Sequence, residues 1–270
     1  MNLYRFACAV AAVAAFLVTD ARAQETPHFR ADCKAPTDIA HLDEQLPHLA
    51  ARVAQKESVT IIAFGSSSTA GAGASSPDAT YPARLEVELK AAFPGVPIRV
   101  INRGVGGEDV AEMLARFDRD ITSAKPDLVL WQIGTNALLR DNGVDPEQPL
   151  IEQGLRRFKA VDTDVVLIDP QYAPKVLQDP DAEPMVNLIA YVAHENHVGL
   201  FHRFGLMRYW HETIGVPFAR FLSRDLLHMN DYSYGCTAHY LGAAIVEAVH
   251  ETKKQIETVH ASVHPAVGAR

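Results

Sequence analysis

A serine, an aspartate and a histidine in this sequence make a set that acyl chemistry uses. Ser67 lies inside Gly65-Ser66-Ser67-Ser68-Thr69, and about 160 residues later Asp225 and His228 stand three apart in Asp225-Leu226-Leu227-His228. A serine hydroxyl is a weak nucleophile until an adjacent base takes its proton. Histidine is the usual base near neutral pH. Its second ring nitrogen is commonly held by a carboxylate, which fixes the tautomer and steadies the imidazolium. A spacing of three lets one short turn carry both Asp225 and His228. The carbonyl that serine attacks needs donors aimed at its developing oxyanion. Two other segments offer them. Asn102-Arg103-Gly104-Val105-Gly106-Gly107-Glu108 brings a main chain that glycine lets approach closely, and Gly134-Thr135-Asn136 brings a side-chain amide. The reading is Ser67 as nucleophile, His228 as base and Asp225 as its orienting carboxylate. The N–H groups of Ser67 and Gly107, with the amide of Asn136, are the oxyanion donors. Serines at 66 and 68 and a glycine at 106 leave a shift of one residue open at two of these places.

Residues this far apart meet only if the fold gathers them. Each segment follows an apolar run or precedes the last helical pattern. The run Val59–Phe64 reads as a buried strand that stops abruptly on small residues. Further strands are expected at Ile98–Asn102, Asp127–Ile133, Asp164–Asp169 and Val198–Phe201. Apolar residues spaced by three and four predict helices at Tyr81–Phe93, Glu108–Thr122, Leu150–Val161, Met185–His197 and Thr237–Gln255. Continuous apolar strands alternating with amphipathic helices imply an α/β fold. We expect a single three-layer α/β/α domain with a mostly parallel, five-stranded sheet. In such a sheet the strand ends share one edge, where open α/β folds place their ligands.

The chain has 270 residues, of which 48% are hydrophobic, enough for one large core. Its net charge of -8 and lack of a Lys/Arg cluster argue against nucleic acid as partner. Residues 1–23 read as a cleavable leader: Arg5, an apolar run from Ala7 to Val18, and Ala21-Arg22-Ala23 as the cleavage site. About 12 apolar residues are too few to span a bilayer, so no stable membrane insertion is expected after cleavage. The expected location is outside the cytoplasm, periplasmic or secreted. Residues 24–58 form an N-terminal extension, with an amphipathic helix within Ile39–Lys56 that breaks or begins at Pro47. The catalytic domain spans 59–258, and 259–270 reads as a flexible tail. Cys33 and Cys236 either pair, as export would allow, or stay as two buried thiols.

Blander readings exist for each feature. The Ser/Gly stretch alone is a turn or a phosphate cradle, but it lacks the Gly-Lys-Ser/Thr ending of a P-loop. Asn136 alone is a helix cap. His194 and His197 are spaced as H-x-x-H, yet no third ligand is evident, so no metal and no organic cofactor is expected. Tyr81, Tyr172, Trp210 and Met229 either line a groove or pack in the core. Arg103 and Glu108 either reach substrate or are solvated.

Taken in order, the four segments resemble the blocks of the SGNH (GDSL-like) hydrolase superfamily of esterases, lipases and acyltransferases. Gly65-Ser66-Ser67-Ser68-Thr69 is similar to its Gly-Asp-Ser-x-x block, with Ser67 at the nucleophile position. Gly107 matches the oxyanion glycine, Gly134-Thr135-Asn136-Ala137 resembles Gly-x-Asn-Asp, and Asp225 and His228 meet Asp-x-x-His. The sequence departs from the pattern at Ser66 and Ala137, both usually Asp. The resemblance implies a flavodoxin-like fold and serine-dependent hydrolysis of short acyl esters, with a small molecule or glycan carrying the ester. An O-acyltransferase with the same triad, or a non-catalytic carbohydrate-binding module on the same fold, are the alternatives.

Overall fold

Five parallel strands form where the apolar runs predict them: β1 (Val59–Gly65), β2 (Ile98–Gly104), β3 (Leu128–Gln132), β4 (Asp164–Ile168) and β5 (Gly199–Phe201). This computed structural model describes residues 33–36, 39, 41–140 and 142–263. The expected leader, residues 1–23, and the end of the expected tail, 264–270, lie outside the described residues. The strand order is β2-β1-β3-β4-β5, and every pairing is parallel. The order reverses between β1 and β3, so their carboxyl ends flank the crevice where such sheets bind ligands. Ser67 follows one of these strands and Asn136 the other.

The strands' composition explains their rank in the sheet. β3 and β4 are buried along their whole length, and β1 at every residue but Thr60. β2 lies at an edge and exposes Arg99, Asn102 and Arg103, charged and polar groups that discourage a further strand from adding. β5, at the other edge, is only three residues long.

Helices cover both faces. On one side α1 (Pro47–Gln55), α3 (Tyr81–Ala92) and α10 (Asp231–Val263) pack together; on the other, α4 (Val110–Ala115), α6 (Glu147–Ala160) and α7 (Ala182–Glu195) do so. Phe158 of α6 wedges edge-on against Trp131 of β3 at 5.1 Å, and tilts on Phe117 at 4.9 Å. Shorter α-helices among the described residues are α2 (Ser67–Ala70), α5 (Thr135–Leu139), α8 (Arg203–Arg208) and α9 (Phe218–Phe221).

Several boundaries differ from the sequence expectation for local reasons. The amphipathic pattern after Ile39 becomes a helix only at Pro47, where a residue without an N–H fits the first turn. The expected helix Glu108–Thr122 is interrupted: α4 ends at Ala115 and a π-helical turn covers Asp118–Thr122. Between them the buried Arg116 turns inward to the Gly65 carbonyl at 3.1 Å and to Asp120 at 2.6 Å. The last helix starts at Asp231 instead of Thr237, because the Asn230 side chain accepts from the Tyr232 and Ser233 N–H groups and caps it. It runs through Val263, into the expected tail.

Cys33 and Cys236 are joined, with Cα atoms 5.7 Å apart across 203 residues of sequence. The bridge holds the N-terminal segment on α10. Tyr240 donates its hydroxyl to the Cys33 carbonyl at 2.9 Å, and Trp210 its indole N–H to that of Lys34 at 2.9 Å. Of the aromatic positions with two readings, Tyr81, Tyr172 and Trp210 are buried, as is Met229.

Candidate active site

Ser67 is the first residue of α2, two residues after β1 ends. A buried glutamine shapes this corner. Gln132, the last residue of β3, accepts on its Oε1 from the Ser66 N–H and the Ser66 hydroxyl, both at 2.9 Å, and from the Thr69 hydroxyl at 3.2 Å. Ser66, where the resembling block carries Asp, therefore acts as a donor to β3. With its neighbours pinned, Ser67 alone of the three serines stays partly open to solvent; Ser66 and Ser68 are buried.

His228 reaches Ser67 from the far end of the chain: its Nε2 lies 2.8 Å from the Ser67 Oγ. The other ring nitrogen, Nδ1, lies 2.5 Å from Asp225 Oδ2. A carboxylate can only accept, so Nδ1 carries the proton and Nε2 is left to accept from the serine hydroxyl. The turn is built to hold that arrangement. Asp225 Oδ1 takes the Ser223 hydroxyl at 2.7 Å and the N–H groups of Leu227 and His228 at 3.0 Å each, which leaves Oδ2 for the imidazole. Leu226, between them, has the left-handed φ of 57° that closes so tight a turn. Burial would raise the Asp225 pKa, but the bonds from His228, Ser223 and the two backbone N–H groups outweigh it and hold the carboxyl well below its usual range.

The loop after α2 braces the histidine. Gly73 has φ 88°, and a Cβ there would collide with the Met229 carbonyl and stand 3.2 Å from the His228 Cβ, so only glycine lets the two loops touch. Ser75 ties the same loop to α10 through Asp231, its N–H donating at 2.8 Å and its hydroxyl at 2.5 Å.

The two segments expected to supply oxyanion donors meet each other beside Ser67. Gly106 passes over the serine: a Cβ on it would stand 3.8 Å from the Ser67 Cβ. Gly107 has φ 84°, in the region that favours glycine. The Asn136 amide donates to the Glu108 carbonyl at 2.8 Å, and Arg140, at the end of α5, donates to the Gly107 carbonyl at 2.5 Å and to Asp109 at 2.7 Å. Asp109 in turn caps α4 in a reciprocal box, accepting from the Glu112 N–H while Glu112 accepts its own. The Glu108 carboxylate pairs with Arg116 at 2.6 Å, and Arg103 lies 3.9 Å from Asp120.

All five residues singled out from the sequence thus sit at one edge of the sheet, Ser67, His228 and Asp225 in one hydrogen-bonded line. Gln132, Arg116 and Arg140 were not singled out. Gln132 had a cue, since it is a polar residue inside the apolar run Leu128–Ile133. The arginines had none, because a sequence does not say whether a cation points in or out. His194 ends up exposed near the end of α7, and His197 lies beyond it, 3.4 Å from Glu44.

Comparison with known proteins agrees with this architecture. A solved two-domain esterase active on acetylated mannans is similar over 79% of this chain and 56% of its own, with a TM-score of 0.64 and 19% identity. A solved acetyl xylan esterase is similar over 69% of this chain and 100% of its own, with a TM-score of 0.58 and 20% identity. Likeness at such identity carries the fold. In sequence, an acetylxylan esterase of Geobacillus stearothermophilus is 28% identical over 102 residues, 34% of this chain and 47% of that relative. The chain thus matches about half the length of that curated relative. The family model of non-GDSL lipase-like proteins matches residues 32–251, a name that suits the serine at position 66, and the chain belongs to that family, within the SGNH-like esterase superfamily.

Proposed function

We propose that this protein hydrolyses short carboxylic esters, acetyl groups on polysaccharide foremost, through an acyl-enzyme on Ser67. The observation that carries the reading is the unbroken line from Asp225 Oδ2 through both nitrogens of His228 to the Ser67 Oγ, at 2.5 and 2.8 Å. His228 Nε2 takes the Ser67 proton as Oγ bonds to the ester carbonyl carbon. The negative charge on the carbonyl oxygen falls to the N–H groups of Ser67 and Gly107 and to the Asn136 amide. The first N–H groups of a helix have no partner within it, which suits Ser67 at the start of α2 to this part. The intermediate collapses, and the departing alcohol takes the proton from His228. Water then gives a proton to His228, its oxygen attacks the acyl carbon, and the Ser67 Oγ leaves with that proton.

The relatives' substrates support the choice of acyl group and alcohol. One is active on acetylated mannans, and two are acetylxylan esterases. Export with cleavage after Ala23 would bring the enzyme to such polymers. The test is release of acetate from acetylated xylan and acetylated mannan, beside a chain-length series of p-nitrophenyl esters. We expect turnover to be highest with acetyl and to vanish in Ser67→Ala. A wild-type protein that releases no acyl group from any of these would overturn the reading, and an acyl group passed to a sugar instead of water would make it a transferase.

A further inference from the structure

Just beneath the line of Ser67, His228 and Asp225 lies a second set of polar groups that no step of the proposed reaction uses. Arg203, the first residue of α8, is completely buried, as are Gln171, Ser68 and Thr135. Its Nη1 donates to the Ser68 hydroxyl at 2.8 Å, its Nη2 to Gln171 Oε1 at 3.1 Å, and its Nε to the Asp169 carbonyl at 3.0 Å. Gln171 Oε1 also accepts from the Thr135 hydroxyl at 3.0 Å, and its Nε2 donates to the Leu227 carbonyl at 3.3 Å. The partners matter for where they stand in the chain. Ser68 follows Ser67, Thr135 precedes Asn136, and Leu227 precedes His228.

A guanidinium is a costly thing to bury. An apolar side chain of similar volume usually stabilises a core as well or better, so stability alone is a poor reason for Arg203. What arginine supplies is a rigid planar fork of five donors, which can fix several acceptors at set angles. Here those acceptors come from the ends of β1 and β4. Gln171, with an acceptor and a donor at one tip, extends the grip to the end of β3 and to the turn that carries the histidine.

We propose that Arg203 and Gln171 are positioning residues that set Ser67, Asn136 and His228 relative to one another without touching substrate. This rests on the reading of Ser67 as nucleophile. Each of the three functional side chains is one residue from a group held by this pair. A slip in any of those bonds would move nucleophile, oxyanion donor or base by a fraction of an ångström.

The test measures kcat per reactive serine, counted by fluorophosphonate titration run to completion, together with KM and Tm. Wild type must first titrate and turn over p-nitrophenyl acetate, and Ser67→Ala must do neither; failure at that point overturns the functional reading itself. Given that result, Gln171→Met keeps the volume and removes all three side-chain hydrogen bonds, and should lower kcat per titrated serine by about 10- to 100-fold while KM moves less than about two-fold. Thr135→Val, nearly the same shape without the hydroxyl, should lower kcat by about three- to ten-fold in a fully folded protein, so the proposal stays testable if the glutamine variant fails to fold. Arg203→Lys, a cation without the fork, should likewise lower kcat per titrated serine. A purely structural pair would lower Tm and leave kcat per titrated serine unchanged. That result in Thr135→Val and in every folded Gln171 variant would overturn the proposal.

Discussion

Two carboxylates, at opposite edges of the sheet, each accept two backbone N–H bonds, and they do different work. Asp164 opens β4 and takes the N–H of Leu49 at 2.9 Å and of His48 at 3.3 Å, capping α1 from outside the helix. It is 6% exposed, and burial pushes its pKa up to about 6, its backbone bonds offsetting only part of that. Asp225 takes its two N–H bonds at 3.0 Å each, but its side chain is 40% exposed and faces an imidazole and a serine hydroxyl. Its pKa is held well below the usual range. The amino edge of the sheet thus uses a carboxylate as a fastener and tolerates the cost of burying it. The carboxyl edge keeps a carboxylate charged across the range where His228 would work as the base in the proposed reaction. Backbone bonds alone do not separate the two roles; solvent and a ring nitrogen do.

Exchanging each acid for its amide breaks the contrast most sharply. Asp225→Asn should lower kcat by about 10⁴-fold, because an amide facing Nδ1 favours the wrong imidazole tautomer. Asp164→Asn should leave kcat at the wild-type level. Steady-state kinetics on both variants checks this, and a comparable loss in each would erase the distinction. A smaller effect sharpens it. Asn136→Ala removes a neutral donor at the same edge and should cost about a hundred-fold in kcat, ~3 kcal/mol, which is less than the loss of the Asp225 charge. Tm is read alongside, since the Asn136 amide also holds the Glu108 carbonyl.

The last effect is on stability and has a sign. The folded pKa of Asp164, about 6, lies above the ordinary aspartate value of 3.8. Between these values the folded state binds more protons than the unfolded chain, so stability falls as pH rises from about 4 to about 6. The fall is at most about 3 kcal/mol. Urea unfolding at a series of pH values should show that slope in wild type and a flatter one in Asp164→Asn. Asp225 works the other way: its depressed pKa adds stability at neutral pH that is lost as pH drops through the acidic range.

What the sequence revealed of this molecule follows from which forces are local. The five strands were legible because apolar runs between turn residues need no knowledge of their neighbours. Ser67, Gly107, Asn136, Asp225 and His228 were legible because each follows such a run or sits in a short motif. The four- and five-residue helices α2 and α5 were not, since one turn carries too little periodicity to register. Glu108–Thr122 reads as one helix, and nothing local says that Arg116 will turn inward to the Gly65 carbonyl and split it. Arg203 and Gln171 are the extreme case. On sequence they pass for surface residues, and they are buried where the ends of β1, β3 and β4 meet the turn that carries His228.

The central claim is that Ser67, and neither of its neighbours, is the nucleophile that His228 activates. Labelling with a fluorophosphonate, followed by peptide mass spectrometry with fragmentation to the residue, tests it directly. The account predicts one adduct per chain, on Ser67, absent from Ser67→Ala and much slower to form in His228→Ala. An adduct on Ser66 or Ser68, or a wild-type protein that takes no label while fully folded, would contradict it.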